Sequence, residues 1–228
     1  MFPFLRYFFY LAFNWNISIA WHIIKEERKG EKKYGINTTG ADELKQLEEK
    51  GIDIDHATIY MPVSFGLLED CFDQLKKLME LHADAFPEMN HFLDIGCGKG
   101  RALCLAAHTG FKKVTGIDFS KELCVIAEQN LQITKEKIGS FEYTIINNDA
   151  FYFDIPETTD CIFLFNPFDD VIMSKVVENI RESLFAKPRK LLIIYVNPIY
   201  KDLFLEAGFN TIYHTQKMKY LEAVILKN

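Results

Sequence analysis

From His91 to the C-terminal end the chain alternates short apolar runs with stretches of helical spacing. Runs of strand length fall at 91–96, 113–118, 142–148, 160–166, 190–197, 210–217 and 219–226. Helical spacing falls near 100–109, 120–133, 171–185 and 199–207. Strand, helix and strand joined by short loops predict a mostly parallel sheet covered on both faces. Only a tight connection around Lys217-Met218-Lys219 separates the last two strands, so they are expected to form an antiparallel hairpin. The pattern therefore predicts an α/β fold: a doubly wound sheet of seven strands, six parallel and one antiparallel.

Upstream the pattern is purely helical. Ser64 can cap a helix reaching about His82, with Leu67, Leu68, Cys71, Phe72, Leu75, Leu78 and Met79 on one face. Thr39 is expected to open a shorter helix, with Asp42 as capping partner and Gly51 as the stop. Tyr7 to Ile24 carries no charge and reaches the lower limit for a membrane span. Asn14, Ser18, His22 and Glu26, however, recur every four residues as a polar stripe on a helix, which a spanning helix would not need. We read this stretch as a helix packed on its own domain. A membrane-interface helix, and a span or secretory signal, are the other two readings. Lys25 to Lys33, five basic and three acidic residues, reads as a solvated helix end or linker. The expected organisation is an N-terminal helical extension over 1–57 and one domain over 58–228.

Composition narrows the chemistry. The 228 residues carry a formal net charge of −6, so there is no basic field to gather free nucleic acid. Five scattered cysteines, odd in number, fit reduced thiols in a cytoplasmic protein better than a disulfide framework. There is no C-x-x-C pair and the six histidines lie far apart, so no metal is expected. Neither G-x-S-x-G nor H-E-x-x-H occurs, which removes the hydrolase and zinc-protease readings.

The informative run is HFLDIGCGKG, His91 to Gly100. A short apolar strand enters three glycines at alternate positions, Gly96, Gly98 and Gly100, and Asp94 sits two residues before the first. Glycine turns between a strand and a helix hold cofactors because backbone N–H groups can come close to the ligand. A dinucleotide fingerprint would place its third glycine at position 101, which is Arg101. A carboxylate beside the cradle also repels a pyrophosphate and attracts a cationic amino acid. Both details favour S-adenosylmethionine over a nicotinamide cofactor.

The run D-I-G-C-G-K-G-R resembles the first motif of class I methyltransferases. Tyr60-x-Pro62, GFKKVTGID, FNPF and Tyr195-Val196-Asn197-Pro198 resemble a group of bacterial members of that class, over about residues 58 to 228. The resemblance implies a Rossmann-like seven-strand core, S-adenosylmethionine as cofactor and methyl transfer as the reaction. It is also distantly similar to seven-strand protein-lysine methyltransferases, which implies that Tyr60 closes the methionine end of the pocket. An aromatic buried in the core is the competing role for Tyr60.

Each strand end then has a candidate. Gly96, Cys97, Gly98 and Gly100 cradle the cofactor beside Asp94. Asp118, twenty residues after Gly98 and followed by Phe119, can accept both ribose hydroxyls; its alternative is a helix cap, a role Ser120 fills better. The resemblance places Asp149 on the adenine amino group and the Ala150 N–H on the ring, with an Asx-turn as the alternative for Asp149. Asn166-Pro167-Phe168 resembles the N-P-P-Y-like motif of nitrogen methyltransferases but lacks the second proline. Asn166 would there accept the amine's hydrogens; Asn166-Pro167 is equally readable as a strand stop.

The resulting expectation is methyl transfer from S-adenosylmethionine to a nitrogen, on a protein side chain, with Asn166 and Tyr60 as the catalytic candidates. The alternatives are a small-molecule O- or N-methyltransferase and a non-catalytic cofactor-binding module at a membrane. Weak membrane-surface contact through residues 2–24 is a further expectation.

Overall fold

A computed structural model describes residues 3–14, 16–40, 61–165, 168–217 and 221–228. Seven strands form one sheet: β1 (His91–Ile95), β2 (Lys113–Asp118), β3 (Glu142–Asn147), β4 (Cys161–Phe165), β5 (Leu192–Val196), β6 (Asn210–Lys217) and β7 (Leu221–Lys227). Their order is β3-β2-β1-β4-β5-β7-β6. Pairing from β3 through β5 is parallel, and β7 runs antiparallel to both β5 and β6. Six strands thus share one direction and one opposes them. The last strand in the chain lies inside the sheet, because β7 inserts between β5 and β6.

The helices are α1 (Pro3–Asn14), α2 (Ile17–Tyr34), α3 (Phe65–Leu81), α4 (Arg101–Thr109), α5 (Lys121–Ile138), α6 (Asp170–Ala186) and α7 (Lys201–Glu206). Side chains alternate across a strand, so each central strand feeds two cores. Phe92 and Phe163 join the layer formed with α3, α4 and α5; Leu93, Ile162 and Leu164 join the layer beneath α6 and α7. Every residue of β1 and β5 is buried, as a parallel centre covered on both faces requires. Ser64 caps α3 as expected, its hydroxyl accepting from Leu67 N at 3.2 Å. Helix α5 runs five residues beyond the expected 133, to the stop at Gly139.

The N-terminal region departs from its sequence reading. The expected single helix is two, because Asn16 takes an extended conformation (φ −167°, ψ 165°) and accepts from Ile19 N at 2.8 Å. A side-chain cap starts a new helix more favourably than an interior Asn continues an old one. Tyr7 and Leu11 of α1 fold back on Ala20 and Ile24 of α2. Of the two readings of Lys25 to Lys33, the helix end holds and the linker does not: the run is the second half of α2, its bases exposed, but Glu27, Gly30 and Tyr34 are buried there. The helix expected after Thr39 and the boundary at residue 57 lie outside the described residues.

Candidate cofactor site

Strand β1 sits between β2 and β4, where chain order along the sheet reverses, and ligands of open α/β sheets bind outside the carboxyl ends of strands at such a point. The loop leaving β1 turns through Gly96, Gly98 and Gly100 with φ of 81°, 51° and 78°. These left-handed values favour glycine. Gly96 N and Cys97 N both donate to Ile117 O at 2.9 Å. Gly98 N donates to Asp118 Oδ2 at 2.8 Å, and Ser120 N donates to Asp118 Oδ1 at 2.9 Å. One carboxylate at the end of β2 therefore ties the glycine loop to the start of α5. At Gly100 a Cβ would stand 3.1 Å from Ala127 Cβ, so this glycine also lets α4 lie close on α5.

Two buried carboxyl groups adjoin this loop. Burial, with the nearby Asp118 charge, pushes the Asp94 carboxyl well above the usual carboxylate range. Burial raises Asp118 too, against the lowering effect of its bonds from Ser120 N and Gly98 N. A cation brought alongside offsets the cost of ionising such a pair, whereas a phosphate adds to it. A left-handed backbone cradle with carboxylates beside it therefore fits S-adenosylmethionine, which carries an ammonium and a sulfonium and no phosphate. Cys97 contributes through its backbone, since its thiol fills the space over Gly116, where a Cβ would lie 2.8 Å from Sγ.

The neighbouring strand ends continue the site. Asn147 Nδ2 donates to Asp118 O at 3.0 Å and to Phe119 O at 2.7 Å, joining the ends of β2 and β3. Phe119 is half-buried. Asp149 is exposed and its Oδ1 accepts from Phe151 N at 2.8 Å, capping a short 3-10 turn over Ala150–Tyr152. The local turn is thus formed, and the other carboxylate oxygen is not used by it. Ala150 is buried beside this turn. Ser120, not Asp118, supplies the cap of α5, accepting from Leu123 N at 3.3 Å. Tyr60 and Asn166 lie outside the described residues. Phe168, the last residue of the Asn-Pro-Phe run, is buried against the α6 side of the sheet.

Sequence reasoning missed how the N-terminal helices reach this loop. Arg101, one residue after the glycines, is buried and donates through Nη1 to Glu27 Oε1 at 2.7 Å and to Val63 O at 2.5 Å. Its Nη2 donates to Glu27 Oε2 at 2.5 Å and its Nε to Thr38 Oγ1 at 2.8 Å. The guanidinium also lies over the Phe65 ring, 3.9 Å from the centroid. Thr39 Oγ1 donates to the same Glu27 carboxylate at 2.8 Å. Asn130 clamps the segment from the other side: Oδ1 accepts from Asn37 N at 2.9 Å, and Nδ2 donates to Asn37 O and Lys99 O. Residues 36–39 are therefore stapled along the glycine loop. The signal was the spacing of Ala20, Ile24, Glu27, Gly30 and Tyr34, an inward stripe disguised by a carboxylate and a glycine.

Residues 92–186 match the family model described as a methyltransferase domain. No curated protein matches the chain at a significant level. Solved structures share the fold at low identity. A protein from Escherichia coli assigned as a methyltransferase superposes with a TM-score of 0.54 at 14% identity, covering 74% of this chain and 88% of its own. The N-methyltransferase NodS from Bradyrhizobium japonicum, solved with S-adenosyl-L-homocysteine, gives 0.52 at 14% identity, covering 71% and 87%. A protein from Haemophilus influenzae assigned as a methylase gives 0.50 at 19% identity, covering 69% and 98%. The matched domain spans the glycine loop, the buried carboxylates and four of the seven strands, so the chain carries a methyltransferase domain, S-adenosylmethionine-dependent and with the class I fold, over residues 92–186.

Proposed function

We propose that this enzyme methylates a nitrogen, on a protein side chain, with the cofactor lying across the ends of β1, β2 and β3. The observation that carries the placement is the Gly98 N to Asp118 Oδ2 bond, 2.8 Å, which orients the carboxylate beside the left-handed cradle. When bound, S-adenosylmethionine supplies a methyl group already activated by its sulfonium. Gly96, Cys97, Gly98 and Gly100 offer backbone to the methionine end, and Asp94 favours its positive charge. Asp118 has lone pairs beyond those taken by Gly98 and Ser120, which suit the ribose hydroxyls; Phe119 lies next to them. Asp149 keeps one oxygen for the adenine amino group and Ala150 offers its N–H. Asn166 holds the acceptor amine through its hydrogens, and Tyr60 closes the methionine end. Such residues catalyse by alignment and exclusion of water, so no strong base is required.

The nitrogen preference rests on Asn166-Pro167-Phe168, and the protein substrate on the Tyr60-x-Pro62 resemblance. The five free, buried cysteines support a reducing compartment such as the cytoplasm. Residues 1–57 act as a helical extension to a catalytic domain over 58–228 in this reading. Calorimetric titration with S-adenosylmethionine and S-adenosylhomocysteine tests the cofactor placement, on the parent and on Gly98→Arg and Asp118→Ala. Binding lost in both variants supports it; unchanged binding in both sinks it. Labelled methyl transfer into cell extract, with separation of protein from small molecules, then tests the acceptor.

A further inference from the structure

The charges of α2 are sorted. Its three acids all turn toward the protein: Glu27 to Arg101, Glu31 to the Thr38 and Thr39 N–H groups, and Glu26 to the Ser64 hydroxyl at 2.7 Å. Its five bases, Lys25, Arg28, Lys29, Lys32 and Lys33, are all exposed, with Lys33 paired to Glu69 at 2.7 Å. The outer face is therefore basic, on a chain whose net charge is −6.

Beside that basic face lies exposed aromatic surface. Leu5, Phe9 and Phe13 follow one another at four-residue spacing on α1; Phe13 is 94% exposed. Ile17 and Trp21 continue on α2, and Trp21 is 67% exposed. Phe8 links the two helices, 5.8 Å from Phe9 and 6.5 Å from Trp21 between ring centroids. On α2 the spacing of Ile17, Trp21, Lys25, Arg28 and Lys32 puts apolar and basic groups on a single face. Exposed, contiguous aromatic surface on a soluble domain marks a place meant to be covered.

We propose that the α1–α2 hairpin docks the protein on an anionic lipid bilayer, lying in the interface without crossing it. Charge complementarity identifies the occupant: Lys and Arg in this number meet anionic headgroups, while Phe and Trp enter the headgroup boundary. No helix among the described residues is long and apolar enough to cross a membrane, which leaves the surface mode. Because α2 also carries Glu27, the docked hairpin is bonded through Arg101 to the glycine loop. The catalytic domain is thereby held close to the bilayer.

Sedimentation with vesicles tests this, comparing phosphatidylcholine alone with an equimolar mixture of phosphatidylcholine and phosphatidylglycerol. Binding is expected to the mixed vesicles, weakened by salt, and not to the neutral ones. Lys25→Gln/Lys29→Gln/Lys32→Gln is expected to weaken it about a hundredfold, from roughly 1 kcal/mol per basic residue near an anionic surface. Phe13→Ser/Trp21→Ser is expected to weaken it more than about tenfold through lost apolar burial. All these side chains are exposed, so thermal melts and S-adenosylmethionine titration should match the parent and exclude misfolding. No binding to either vesicle, or equal binding to both, overturns the proposal. So does a dimer without vesicle binding that Phe13→Ser/Trp21→Ser dissociates, which would make a second copy the occupant.

Discussion

Arg101 and Glu27, 74 residues apart in sequence, form a buried two-armed ion pair, with Nη1 on Oε1 at 2.7 Å and Nη2 on Oε2 at 2.5 Å. One partner follows the cofactor loop and the other lies in the N-terminal helix. Removing one partner of a buried pair strands the other charge, at a cost of about 3–5 kcal/mol. Glu27→Ala is expected to destabilise the protein by that amount in urea denaturation. Glu27→Leu/Arg101→Met, which removes both charges, should recover much of the loss. Equal destabilisation of the single and double variants would show that packing and not charge holds the helix.

Asp118 bridges Gly98 and the start of α5, so its loss should act on the ligand through two routes. Hydrogen bonds to charged groups contribute about 1.5–3 kcal/mol each. Asp118→Ala is expected to weaken S-adenosylmethionine binding about 10- to 150-fold. Asp118→Asn keeps one acceptor oxygen and should lie between variant and parent. Calorimetry on the three proteins checks the order, and equal affinities would remove Asp118 from the site.

Gly100 combines φ of 78° with a 3.1 Å approach of its would-be Cβ to Ala127. Gly100→Ala should cost about 1–3 kcal/mol from the left-handed backbone alone. Ala127→Gly removes the Cβ contact but leaves the Ala127 Cα at 3.2 Å and the backbone strain, so the pair is expected to recover only a small part of the loss. Thermal melts of the three variants measure the split.

His91 bonds through Nδ1 to Thr158 Oγ1 and through Nε2 to Thr115 Oγ1, both at 2.8 Å, at the end of β1 away from the cofactor loop. Burial, with the Lys113 and Arg189 charges, pushes its pKa down from 6.5 to about 4. A lowered folded pKa means that the contribution is present above the unfolded value and is lost as pH falls toward the folded one. Stability attributable to His91 is thus complete above pH 6.5 and disappears between 6.5 and about 4. His91→Gln cannot protonate, so its stability should fall less than the parent's across that window. Parallel acid limbs in denaturation at several pH values would contradict the assignment.

The alternation of apolar runs and helical spacing after His91 was enough to determine seven strands, their parallel majority and the helices between them. Period and turn chemistry are local properties, and in a sheet whose central strands are buried on both faces nothing tertiary competes with them. The glycine spacing with Asp94 likewise determined the cofactor class, since φ above zero and charge beside the loop are set by residue type. What local pattern could not decide was partnership. Asn16 ended one helix and began another because its side chain found Ile19 N. Glu27 and Arg101 look like surface charges in a row of letters; only the folded chain brings them together and compensates their burial. The place of β7 inside the sheet, and the sorting of acids inward and bases outward on α2, were settled the same way. Such outcomes depend on contacts across tens of residues, where the cost of burying a charge is met or left unmet by a group the local sequence does not contain.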